Sequence, residues 1–274
     1  MKSALTLLVG ATLPLASAPA PDQDGYALIR PVPAAPRREL RTDRPDATES
    51  PFTVDAGHAQ LEMDAANFSR HQLAGTRTTA GGLVPFNLRL GLLTNWEAGI
   101  FVSPLLRVTE TPPGGPRTSR SGFGDVTLRT KFNFCGNEGG DTAFGLIADL
   151  TLPTAARGLG GDYVEGAVFL PVAFELAGGW SGGAMTGTEF QPRASGGYQV
   201  AWTNTATFGH EITPTTSAYF EITSTVGAGP HAATFDVGLA WKLEPNLQLD
   251  CGVNLGLTRA ADNLHMFAGI ARRF

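Results

Sequence analysis

GFGDVTLRTKFNF, residues 122–134, is the stretch whose reading decides the fold. The even positions from 126 are Val126, Leu128, Thr130, Phe132 and Phe134. The odd positions from 125 are Asp125, Thr127, Arg129, Lys131 and Asn133. Side chains on a strand alternate between its two faces, so this spacing sends every charge one way and the apolar and aromatic groups the other. A soluble sandwich could carry one such strand. Here the pattern recurs along the chain, and no segment of helical period is present to cover the apolar faces. A sheet closed on itself in lipid satisfies every backbone group and gives those faces an apolar solvent.

Working outward, the alternation predicts strands at 59–65, 84–92, 96–104, 126–134, 144–152, 168–176, 180–190, 198–212, 218–226, 235–243, 247–257 and 264–274. Pro/Gly-rich stretches at 105–121 and 153–165 read as long surface loops. Connections near 94, 137, 178, 214 and 245 are short, and those near 74, 112, 158, 194, 229 and 260 tend to be longer. Short periplasmic turns facing longer outer loops are a barrel signature. Trp96, Trp180 and Trp241 then fall at periplasmic strand ends and Trp202 near the outer rim, where aromatic belts form. The predicted fold is all-β: a single 12-stranded antiparallel transmembrane β-barrel of outer-membrane type, occupying 54–274.

Composition agrees. The 274 residues are 16% charged, include 34 Gly and carry a net charge of −5, which excludes a basic nucleic-acid footprint. Mean hydropathy is −0.01, as alternation without long apolar runs requires. Residues 1–20 hold Lys2, an apolar core at 4–15 and small residues at 16–20, the pattern of a signal peptide. Residues 21–53, rich in Pro and Arg, read as a periplasmic amino-terminal arm or plug. Cys135 ends one strand and Cys251 sits on the apolar face of another, so no disulfide is expected.

Three segments carry a family resemblance. RTDRPDATESPFTVDAGHAQLE at 41–62 resembles the start of the MetA-pathway phenol-degradation family of outer-membrane proteins. The 122–134 stretch with GNEGGDTAFGL after it, and EPNLQLDCGVNLGLTRAADNLHMFAGIARRF at the end, are similar to later landmarks of that family. The resemblance implies an outer-membrane barrel that passes small hydrophilic or aromatic molecules. Phe274, with Gly269 five residues before it, also resembles the carboxy-terminal signal read by the barrel-assembly machinery. Arg272 and Phe267 depart from that signal. An outward Arg near the interface can snorkel at about 0–1 kcal/mol.

The inward face supplies the only constellation with chemical content. Its candidates are Glu62, Asp64, Arg89, Glu97, Asp125, Arg129, Lys131, Asp149, Glu175, Glu221, Asp236, Lys242 and Asp250. They predict a charged, water-filled lumen, because charged rings select what passes a channel. Inward glycines 99, 145, 209, 238, 252 and 256 would leave it room. The other reading is a set of ion pairs filling a barrel that works through its outer loops without conducting. The arm offers a candidate plug in Arg41, Asp43, Arg44, Asp46 and Glu49, its arginines pairing with lumen acids. The five histidines show no metal-ligand spacing, and the G-x-S-x-G spacing at 179–183 opens a predicted strand and not the strand-to-helix turn of a nucleophile elbow, so neither metal, cofactor nor catalysis is expected. The expected partners are outer-membrane lipid and a small solute, with no nucleic acid.

Overall fold

The computed structural model describes residues 23–193 and 195–274; the leader expected at 1–20 lies outside the described residues. These fold into β1 (Ala59–Leu73), β2 (Thr76–Leu83), β3 (Phe86–Leu93), β4 (Trp96–Val102), β5 (Leu105–Thr111), β6 (Thr118–Gly122), β7 (Val126–Cys135) and β8 (Thr142–Leu152). Then follow β9 (Glu165–Glu175), β10 (Trp180–Pro192), β11 (Tyr198–Thr213), β12 (Thr216–Val226), β13 (Ala232–Glu244), β14 (Leu247–Gly256) and β15 (Leu264–Arg273). The strands β1, β3, β4 and β7 to β15 form a closed ring in that order, with β15 returning to β1. Closure runs antiparallel from Gln60 opposite Arg273 to Arg70 opposite Leu264. This is the 12-stranded antiparallel barrel that the alternation predicts, and closure leaves the ring without an edge.

The region 105–121 departs from the expected loop. It forms β5, a turn at 112–117 and β6. Together with β2 these strands extend the wall above the outer end of β3, β4 and β7, pairing in the order β1–β2–β5–β6. The wall breaks at one level, between β2 and β3, β4 and β5, and β6 and β7. Val84 takes a left-handed φ of 55°, and Pro85 and Pro104 have no N–H to give a ladder. TRTTAGGL and TSRSG carry no apolar alternation, so their strands escape a reading based on a lipid-facing band.

Burial in the ring is inverted relative to a soluble domain. Leu128 is 43% exposed and Ile222 54%, whereas Arg89 and Lys131 are fully buried. The exposed apolar residues face lipid; the charges face the lumen. At the end carrying the short turns, Trp96 stacks on Phe132 at 5.3 Å and Trp180 on His210 at 4.5 Å. Arg272 donates to Glu244 at 2.8 Å, which matches its charge on that rim.

The two faces are separable by adjacent substitutions. Leu128→Arg is expected to cost about 2–4 kcal/mol near the midplane, falling toward the interface. Thr127→Arg, whose side chain borders an inner cavity, is expected to fold normally. Urea midpoints in detergent check this, and equal losses would contradict the assigned faces.

Candidate functional site

The lumen is built around the arm. Residues 23–40 lie across the end with the short turns. There Ala27 bridges to Leu93, and Gln23 Nε2 donates to Asp55 Oδ1 at 2.8 Å. Arg38 donates to Thr94 O at 2.6 Å and to Glu138, and Arg273 holds Asp55 at 2.9 Å. The chain then dips into the barrel and returns to the wall at Ala56, which bridges in parallel to Gly91. Gly91 is required there: a Cβ would lie 2.2 Å from Asp55 O. Gly269 likewise admits Arg44, whose Nη2 lies 2.1 Å from where a Cβ would be.

Three stations hold the inserted segment. At the first, Asp43 meets Lys131 Nζ at 2.5 Å and Arg89 Nη1 at 3.2 Å. Arg89 also donates to Glu62 at 2.6 Å and to Glu97 at 2.9 Å. Burial would raise the Asp43 carboxyl, but Arg89, Lys131 and Arg129 outweigh it and hold it well below the usual range. At the second station, Arg44 forks between Asp64 at 2.5 Å and Asp250 at 2.7 Å, while lying 5.4 Å from the Phe267 ring centre. At the third, Glu221 accepts from the backbone of Ala47 at 2.8 Å and of Thr48 at 2.7 Å. Thr48 Oγ1 also lies 2.6 Å from Thr205 Oγ1, and Glu49 takes a hydrogen bond from Arg129. Asp46, on the arm between these anchors, is pushed up to about 8 by burial and then by Glu221.

These stations place the charged candidates. Glu62, Arg89, Glu97 and Lys131 surround Asp43; Asp64 and Asp250 hold Arg44; Arg129 and Asp149 meet at 2.7 Å beside Glu49. Glu221 holds the Ala47–Thr48 backbone, with Asp236 opposite it on β13. Glu175 pairs with Arg41 at 3.5 Å, and Lys242 with Glu39 at 2.7 Å, both at an exposed rim. Asp125 does not line open space. Its Oδ1 caps the N–H groups of Thr154 and Ala155, and its Oδ2 that of Gly161, tying down the 153–164 loop.

One expectation is corrected. The glycines do not leave the inner half empty: Gly238 lies under the Tyr219 ring, Gly252 under the Phe267 ring, and Gly145 faces Pro51 of the arm. In the arm, Arg44 enters together with Asp43 and Glu49, while Arg30 stays against Tyr26. Thr48, Thr205 and the 47–48 backbone were beyond sequence reasoning. A hydroxyl among many hydroxyls carries no period, and a backbone donor carries no signal at all.

Above the arm the lumen opens into two cavities of about 380 and 420 Å³. The first has hydroxyl and amide groups in its walls, among them Asn67, Ser69, Thr223, Thr234 and Asn254, interleaved with Ala80, Leu106, Ala232 and Ala261. The second has Glu49 and Arg129 among its walls. Inner closure below an open outer vestibule is thus the geometry of the site.

Known structures share this fold. The COG4313 outer membrane channel from Pseudomonas putida F1 is similar at 15% identity, covering 85% of this chain and 100% of that one, with a TM-score of 0.62. The β domain of the Bordetella autotransporter BrkA is similar at 14% identity, over 78% and 98% of the two chains, with a TM-score of 0.51. The KdgM porin follows at 8% identity, 78% and 99% coverage, and 0.50. No curated protein matches the sequence. The family model described as "Putative MetA-pathway of phenol degradation" matches residues 42–274, from the inserted segment to the last strand, and the chain belongs to that family.

Proposed function

We propose that the protein is an outer-membrane channel for small hydrophilic or aromatic molecules, held in a closed state by its own arm. The observation that carries this is the contrast along one axis. Polar contacts to residues 43–49 fill the inner half, while cavities of about 380 and 420 Å³ stand open in the outer half. A barrel that served only as a support would need no vestibule. The seal is made of hydrogen bonds and ion pairs, groups that water can replace as the segment withdraws, so it suits a gate better than an apolar core would. Passage asks for no chemistry, and we assign none. The last strand, β15, with Phe274 directly after it, would be the element the assembly machinery receives.

A non-conducting barrel is the second reading, favoured by the deep burial of the Arg89 and Lys131 station. A reversible lock separates the two. Thr48→Cys with Thr205→Cys replaces hydroxyls 2.6 Å apart with thiols that point at one another, within reach of the roughly 2.05 Å S–S bond of a disulfide. Cys135 and Cys251 are free and are changed to Ala to keep the pairing unique. Liposomes holding the oxidised protein are expected to exclude small sugars and aromatic solutes, and reductant is expected to restore swelling. Equal permeability before and after reduction would contradict a moving arm; no permeability under either condition would favour the closed barrel.

A further inference from the structure

The 420 Å³ cavity carries an excess of acid over base in its walls. Its one base, Arg129, shares its walls with Glu49, Asp149, Glu165 and Glu189. Arg129 is already held by Asp149 through two hydrogen bonds, at 2.8 and 2.7 Å, and its guanidinium lies 4.4 Å from the Phe101 ring centre. That pair is neutral, so three carboxylates remain in excess. The charged groups facing Glu165 are Asp125 and Glu189, both acidic. Glu189 takes its hydrogen bonds from neutral donors, Thr203 Oγ1 at 2.5 Å and Gln191 Nε2 at 3.3 Å. Glu49 gives one oxygen to Arg129, and its Oε2 is buried without a hydrogen-bond donor. A buried carboxylate oxygen in that condition is one that an N–H from a ligand would satisfy.

The same cavity has an apolar side. Phe101, Phe169, Met185 and Ala167 line it together with the acids. Ala167 lies opposite Glu189 across the β9–β10 pairing, and Phe169 opposite Gly187, so ring and carboxylate follow one another on the inward face of adjacent strands. A Cβ on Gly187 would lie 2.2 Å from the Phe169 ring, so this glycine gives the ring its place against the wall. A volume near 420 Å³ is within the roughly 300–1,000 Å³ range of small-molecule sites.

We infer that this cavity is a binding site for a primary organic cation with an aromatic or similarly flat apolar body. The ammonium sits among Glu165, Glu189 and Glu49 Oε2, and the body lies against Phe101 and Phe169. This rests on the channel reading and deepens it: the family name points to phenols, but the vestibule selects against their anionic acids. An ammonium offers three donors to carboxylates that have none to spare, and a carboxylate in the same place would meet like charge.

The test uses the full mature protein in non-ionic detergent and titration calorimetry with 2-phenylethylammonium and phenylacetate, two ions of similar shape and opposite charge. The amine is expected to bind at least about tenfold more tightly, and added salt to weaken it. Glu165→Gln combined with Glu189→Gln is expected to lose about tenfold of the amine affinity, and Phe169→Ala to weaken it further. Equal affinity for the two ions, or an unchanged affinity in the double variant, would overturn the assignment. The comparison of ions needs no variant and so stands whatever the variants do to folding. Swelling with a neutral sugar through the arm-deleted protein reports passage separately. Passage without amine preference would overturn this inference alone, whereas amine binding without passage would support the site and remove the channel.

Discussion

Deletion of residues 22–49 is expected to raise single-channel conductance several-fold and to make the open pore cation-selective. The first effect follows from removing the segment that fills the inner half of the barrel. The second follows from what each station loses. Around Asp43, the wall keeps Arg89 and Lys131 with Glu62 and Glu97, a balanced set. Around Glu49, it keeps Arg129 with Asp149, again balanced. At the rim, Glu175 and Lys242 also cancel in charge. Around Arg44 and Thr48, however, the wall keeps Asp64, Asp250, Glu221 and Asp236, and among the described residues no Lys or Arg of the strands forms an ion pair with these four carboxylates. Such a lumen concentrates cations, because a field focused between low-dielectric walls raises the local level of the opposite sign. The check is the reversal potential across a salt gradient for the full mature protein and the deletion. A boiling-dependent gel shift in both would confirm that each has folded. An anion-selective deletion would mean that the lumen face is misassigned, and no change in either quantity would mean that the arm does not occupy the pore in the membrane.

Arg89→Ala is expected to destabilise the protein by about 3–5 kcal/mol, the cost of leaving buried charges without their partner. Arg89 is fully buried and its guanidinium binds Glu97 in two hydrogen bonds, at 2.9 and 3.0 Å, Glu62 at 2.6 Å and Phe52 O at 2.9 Å. Truncation leaves three carboxylates, those of Glu62, Glu97 and Asp43, with Lys131 alone to answer them. Arg89→Lys keeps the charge but cannot reach three acids and a carbonyl with a fork, so an intermediate loss is expected. The urea midpoint in detergent measures both. Because Asp43 is the arm's contribution to this station, the same loss in the protein lacking 22–49 is expected to be smaller by the share Asp43 carries. A loss under about 1 kcal/mol in the full protein would place Arg89 among groups that water already solvates.

The fold and the location of the charged residues were legible in the sequence for one reason: alternation is a local property. Leu128 and Arg129 face opposite ways because they are neighbours on a strand, whatever the strand pairs with. That alone determined an all-β barrel, its lipid face, and Glu62, Arg89, Glu97, Lys131 and Asp250 as inward groups. The same argument fails where lipid does not impose the pattern. This is why β2, β5 and β6, with TRTTAGGL, LLRVTET and TSRSG, read as turn or loop. What the inward groups do was decided only by tertiary structure. Arg44 meets Asp250 across 206 residues of sequence, and Thr48 meets Glu221 across 173. No period spans such distances, and the closing of the ring, not any one strand, brings those residues to a common axis. The charge on the lumen wall was a matter of composition along strands. Which carboxylates the arm neutralises, and which remain free in the outer cavity, depended on where one irregular segment of some ten residues comes to rest.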